Sequence, residues 1–155
     1  MKDINKILVV CTGNSCRSVM AEGYLVKRLE ETGIKASVMS AGTGTMPGFK
    51  PTEETIIVMK EHGVDVSGYT SSSLNKAYVD NADVILVMSR GHREHVLNLS
   101  PDEDSKIYYL RDFSSGADQK GNQIADPIGR PIEFYREVFK IIEESIEGFI
   151  KWIKE

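Results

Sequence analysis

Two short runs, Ile7-Leu8-Val9-Val10 and Val84-Ile85-Leu86-Val87-Met88, are apolar at every position rather than at alternate ones. A strand with one wet face alternates. A strand apolar throughout is buried on both faces, as in a parallel sheet with helices packed on either side. The sequence between these runs supplies such helices. Ala21, Leu25 and Leu29 recur every four residues, with Met20 and Tyr24 beside them, which predicts a helix from Ser18 to about Gly33. Ser37 to Ser40 reads as a second strand, followed by a loop rich in Gly, Thr and Pro through Pro51. Thr52 is placed to cap a helix ending at His62-Gly63, with Glu53 and Glu54 suited to its positive first turn. Ser89 caps a short helix through Leu97, and Lys106 to Leu110 reads as a fourth strand. A long loop then leads to Asp126-Pro127. Pro131 opens a last helix whose stripe comprises Tyr135, Val138, Phe139, Ile142, Ile146, Phe149, Ile150 and Ile153. The expectation is an α/β chain forming one domain over residues 1–155, with its ligand beyond the carboxyl ends of the strands.

Composition narrows the function classes. Hydrophobic residues make up 41% of the 155, enough for a core, and the formal net charge is −4. A weakly acidic chain is a poor general binder of nucleic acid or anionic membrane. The only cysteines, Cys11 and Cys16, are too few for a disulfide-stapled secreted scaffold, so a reducing compartment, the cytoplasm, is expected. No run approaches the ~18 apolar residues of a spanning helix, and Ile7–Val10 is too short for a signal peptide.

The first strand is followed by Cys11-Thr12-Gly13-Asn14-Ser15-Cys16-Arg17-Ser18, a Cys-x5-Arg-Ser loop leading into a helix. Such a turn aims successive backbone N–H groups inward as an anion nest, and the helix N-terminus adds positive potential. Gly13 is expected to supply backbone freedom. Arg17 can hold two phosphate oxygens with its planar fork. The same positive field favours the thiolate form of Cys11, the reactive nucleophile. A Walker-type nucleotide loop is excluded because no Gly-Lys-Ser/Thr follows. A thiolate under an oxyanion cradle needs a proton donor for its leaving group, and Asp126, held extended by Pro127, is the candidate.

Val9 to Ser18, together with Met20-Ala21-Glu22, Ser40-Ala41-Gly42 and the late Asp126-Pro127, resembles the low molecular weight protein tyrosine phosphatase family over essentially the whole chain. The resemblance implies a flavodoxin-like fold with a four-stranded parallel sheet, and a phosphocysteine mechanism without metal or other cofactor. Cys11 would attack phosphorus and Arg17 would clamp the phosphoryl oxygens. Asp126 would protonate the leaving group and then activate water. Thr12, Gly13, Asn14, Ser15, Cys16 and Ser18 would form the binding loop. Within it Ser18 would hydrogen-bond the thiolate, and Asn14 with Ser40 would hold the loop in shape. Cys16 would either trap Cys11 as a reversible disulfide or serve as a small buried hydrophobe. The implied partners are phosphorylated proteins, with phosphate, vanadate or arsenate as loop anions.

Three departures from the family pattern stand out. Val19 replaces the usual Pro after the loop Ser. Gly68 stands where many members carry a His of the loop-supporting network. Ile128 and Gly129 follow Asp126-Pro127, where tyrosine-directed members usually place aromatics. The small hydroxyl residue Ser15, with that non-aromatic segment, is similar to the protein arginine phosphatase branch, so phosphotyrosine and phosphoarginine both stand as substrates. Phe49 or Tyr69 would have to supply an aromatic wall from another loop. Arsenate reductases share the loop, but their disulfide relay needs cysteines beyond it and none follows Cys16. His62, His92 and His95 read as helix-end or surface residues, and Tyr108-Tyr109 as packing at a strand end.

Overall fold

The computed structural model describes residues 1–114 and 122–155. Four strands, β1 (Lys6–Cys11), β2 (Ser37–Gly42), β3 (Val84–Val87) and β4 (Ile107–Tyr109), form one sheet in the order β2-β1-β3-β4, and every pairing is parallel. The helices are α1 (Arg17–Thr32), α2 (Glu53–Glu61), α3 (Lys76–Asn81), α4 (Arg90–Leu99) and α5 (Ile132–Lys154). The expected long loop before Asp126 falls partly, at 115–121, outside the described residues. Its start holds a 3-10 turn, Leu110–Phe113.

Period-2 alternation explains why the runs in β1 and β3 are apolar at every position. Ile7, Val9, Leu86 and Met88 join the core face shared with α1 and α5, where Leu25, Phe139 and Phe149 also sit. Leu8, Val10, Ile85 and Val87 face the other way, onto Val79 of α3 and Val96 of α4. All eight stripe residues of α5 are buried. Helix ends follow their signals. Gly33 terminates α1 in the left-handed conformation at φ 71°. Thr52 and Ser89 cap α2 and α4 by accepting backbone N–H groups three residues on.

Several ends differ from expectation: α4 runs on to Leu99 rather than Leu97, and β4 keeps only Ile107–Tyr109 of the expected Lys106 to Leu110. β2 runs on to Gly42 because its pairing with β1 continues until Cys11 lies opposite Gly42. A side chain at that glycine would start 2.5 Å from the Thr12 carbonyl oxygen, so the close approach of the β2 end to the loop after β1 requires glycine there. Helix α3, six residues under an Asn75 cap, was not anticipated. The strand order reverses direction at β1, with β2 on one side and β3 on the other. The carboxyl ends of β1 and β3 therefore border the crevice where sheets of this kind bind ligands.

Candidate active site

Loop 11–18 leaves β1 at this crevice. The carbonyl oxygens of Cys11, Thr12 and Ser15 accept hydrogen bonds from the backbone N–H groups of Thr43 (2.9 Å), Gly44 (3.0 Å) and Thr52 (3.1 Å). In a trans peptide the C=O of one residue and the N–H of the next point oppositely. Tying these carbonyls outward therefore turns the N–H groups of Thr12, Gly13 and Cys16 inward. Helix α1 begins at Arg17 with no side-chain cap and no acidic residue in its first turn, so its N-terminal field is unspent.

Cys11 is buried at the base of this cradle. Its Sγ lies 2.9 Å from Ser18 Oγ and 3.3 Å from the backbone nitrogen of Asn14, both able to donate to a thiolate. Asn14 organises the turn. Its Nδ2 donates to Ser18 Oγ (2.7 Å) and Ser40 Oγ (2.9 Å), and its Oδ1 accepts from the Ser72 backbone N–H (2.9 Å). The left-handed residue of the loop is Asn14, at φ 51°, whereas Gly13 has no positive φ. This corrects the expectation for Gly13. Asparagine tolerates that region, and three side-chain bonds hold it there. Ser40 in turn donates to Glu22 Oε1 at 2.5 Å. Burial pushes the Glu22 carboxyl above the usual range, against the opposing pull of the Ser40 bond.

Arg17 is only 6% exposed; Nη1 donates to the Ile124 carbonyl (2.9 Å) and Nη2 lies 3.5 Å from Asp126 Oδ2. Asp126 is half-exposed, and its other oxygen accepts from the Ile128 N–H at 3.1 Å, so the residues after Pro127 brace it. Cys16 is buried as a free thiol, with Thr52 Oγ1 at 3.5 Å, Ser15 Oγ at 3.7 Å and Tyr135 Oη at 3.8 Å. Burial, foremost, raises the Tyr135 hydroxyl to about 12.

These groups open on one cleft of 200 Å³, lined by Cys11, Thr12, Gly13, Ser15, Cys16, Arg17, Asp126 and Ile128. Neither Phe49 nor Tyr69 lines it. Tyr69 borders a separate hollow with Glu22 and Ser40. Among the described residues no three His, Cys, Asp or Glu side chains gather to hold a metal, and no helix is long and apolar enough to cross a membrane.

Sequence reasoning missed Glu22, Ser72 and His92. Glu22 was legible in principle, since it lies one turn after Ser18 on the same face of α1. His92 sits at a helix end, in the first turn of α4, but not at the surface: it is buried between Ser89 and Thr12, because that turn packs against the loop after β1. His62 does sit at a helix end, against the Phe139 ring. Tyr108 packs on Phe113 and Trp152.

Residues 6–155 match the family described as low molecular weight phosphotyrosine protein phosphatase. The chain belongs to this family. It is a cysteine-dependent phosphatase of the low molecular weight class. It is 37% identical over 142 residues to a protein-arginine-phosphatase of Geobacillus stearothermophilus, covering 92% of this chain and 91% of that one. Among solved structures it is similar to a Cys-to-Ser mutant of YwlE arginine phosphatase with a phosphorylated active-site serine. The TM-score is 0.89 at 27% identity, covering 97% and 96% of the two chains. It is also similar to Vibrio vulnificus Wzb in complex with benzylphosphonate, at a TM-score of 0.85 and 32% identity, covering 97% and 99%. That relative thus binds a phosphonate anion, the ligand type a nest of inward N–H groups suits.

Proposed function

We propose that the chain acts as one domain, 1–155, which hydrolyses phosphorylated protein side chains through a phosphocysteine, with phosphoarginine the preferred class. The observation that carries the reading is the convergence of Cys11, Arg17 and Asp126 on one cleft. Cys11 Sγ attacks phosphorus, and the leaving nitrogen or oxygen takes a proton from Asp126. The Asp126 carboxylate then takes a proton from the water that attacks phosphorus, breaking the S–P bond and releasing phosphate and the Cys11 thiolate. The inward N–H groups of Thr12, Gly13 and Cys16 and the Arg17 fork hold the phosphoryl oxygens throughout. The phosphorylated active-site serine of the YwlE mutant supports a covalent step. Phosphate, vanadate and arsenate should compete for the same cradle. Two free thiols suit a reducing compartment such as the cytoplasm.

Phosphoarginine is favoured by the cleft walls. Ser15 and Ile128 stand where a phenyl ring would need flat apolar partners, and among the described residues no ring lines the cleft. A planar guanidinium needs polar edges, which Ser15, Thr12 and Asp126 offer. The similarity to a protein-arginine-phosphatase points the same way. The second reading, phosphotyrosine, rests on the family's description and on Phe49, which is 57% exposed on the loop that ties down the cradle. Turnover of phosphoarginine and phosphotyrosine peptides should be compared side by side, with Cys11→Ser as control. A higher kcat/KM on phosphoarginine is expected. A clear preference for phosphotyrosine overturns the substrate assignment, and undiminished turnover by Cys11→Ser overturns the mechanism.

A further inference from the structure

The cradle has a buried neighbour that takes no part in the proposed reaction. Across the crevice from β1, the first turn of α4 places His92, 4% exposed, beneath Thr12. Its Nδ1 lies 3.1 Å from Ser89 Oγ and its Nε2 lies 2.9 Å from Thr12 Oγ1. Ser89 caps α4, its Oγ accepting the backbone N–H of His92. A hydroxyl that accepts the capping bond still has a proton to place, and the adjacent acceptor is Nδ1. The ring is then the neutral tautomer with its hydrogen on Nε2, donating to Thr12. The opposite tautomer would give the Ser89 oxygen two donors and leave its proton without this acceptor. It would also draw the Thr12 proton away from the cleft.

We propose that His92 is a positioning residue of this phosphatase: by donating from Nε2 to Thr12 it fixes the first residue of the cradle and leaves the Thr12 hydroxyl proton free to donate to the bound phospho-group. The inference rests on the phosphatase reading above. Thr12 lines the cleft beside Cys11 and Arg17, so a hydroxyl aimed there meets the ligand that those residues hold. The charges around the ring favour neutrality. Burial first, then Arg17 of α1, push the imidazole down to about 4; His95 on α4 acts in the same sense, and Asp126 from the segment before α5 opposes them. A second proton would have to enter at Nδ1, breaking the Ser89 bond and adding a cation near Arg17.

The test joins spectroscopy on the intact chain to a double-mutant cycle. Imidazole ¹⁵N NMR, with and without vanadate, should show His92 carrying hydrogen on Nε2 only from pH 5.5 to 8. In kinetics, His92→Ala and Thr12→Val should each lower kcat/KM about tenfold, the effect of one hydrogen bond at the upper end of the usual range. The double variant should lose no more than either alone. His92→Gln, whose amide can also donate to Thr12, should recover most of the loss. A residue that only supports the fold would instead lower the Tm, and its kinetic loss would multiply with that of Thr12→Val. A ring protonated on Nδ1, or titrating near 6.5, overturns the proposal, as does a multiplicative double variant. A parent protein without phosphatase turnover refutes the proposed function instead, and the tautomer measurement still decides the His92 geometry. That measurement also stands if His92→Ala fails to fold.

Discussion

Replacing Asn14 by alanine should separate the work of its side chain from the work of its backbone. The wild-type residue is 1% exposed, makes three side-chain hydrogen bonds and holds φ 51°. Each bond is worth about 1 kcal/mol, and losing the amide strands buried partners on Ser18, Ser40 and Ser72. An alanine held in the left-handed region adds about 1 kcal/mol. Asn14→Ala should therefore lower stability by about 4 kcal/mol, near a 2 M fall in urea midpoint for a slope of about 2 kcal/mol/M. Asn14→Gly keeps the backbone freedom and should lose only about 3 kcal/mol. Both variants also lose the framework that presents the Asn14 N–H to Cys11 Sγ. Under native conditions each should fall about 10²-fold in kcat/KM on an aryl phosphate, the size expected of a small misplacement of reacting groups. Urea unfolding and steady-state turnover read the two effects separately. Variants within about 1 kcal/mol of the parent that turn over normally would refute the claim that this network sets the cradle.

Asp126→Asn should lower kcat by ~10²–10⁴ on substrates with poor leaving groups and far less on p-nitrophenyl phosphate. An equal loss across a leaving-group series would make Asp126 a turn residue only. Mild peroxide should inactivate reversibly by joining Cys11 to Cys16, seen as loss of two hydrogens in the mass spectrum and reversed by dithiothreitol; Cys16→Ser should instead proceed irreversibly to the sulfinic acid. The lowered imidazole of His92 ties stability to pH. Between about 4 and the ordinary 6.5 the unfolded chain binds a proton that the folded chain refuses, so stability falls as pH drops through this window. The loss should approach about 3 kcal/mol at its acid end, and His92→Gln should flatten it in urea titrations at several pH values.

What the sequence discloses follows from whether a signal is contiguous. The α5 stripe lies on one element, and its period alone identifies eight of the nine buried residues, all but Ser145. Cys11 to Ser18 is one unbroken segment, so the cradle with Cys11 and Arg17 was legible as a unit. Helix α3 was not, because six residues span less than two turns and show no period. The end of β2 was cut short because Ser40-Ala41-Gly42 has little strand propensity, and only the pairing with β1 makes it a strand. The residues that support the cradle come from far along the chain: Ser72 meets Asn14 across 58 positions, and His92 meets Thr12 across 80. No local period encodes such meetings. Strand order does. With β3 beside β1 in a parallel sheet, the turn after β3 has to border the loop after β1 at the same edge. A polar side chain in the first turn of α4 then faces either solvent or the cradle. Ser89 is occupied as the cap, so His92, three positions on, is the residue that reaches Thr12.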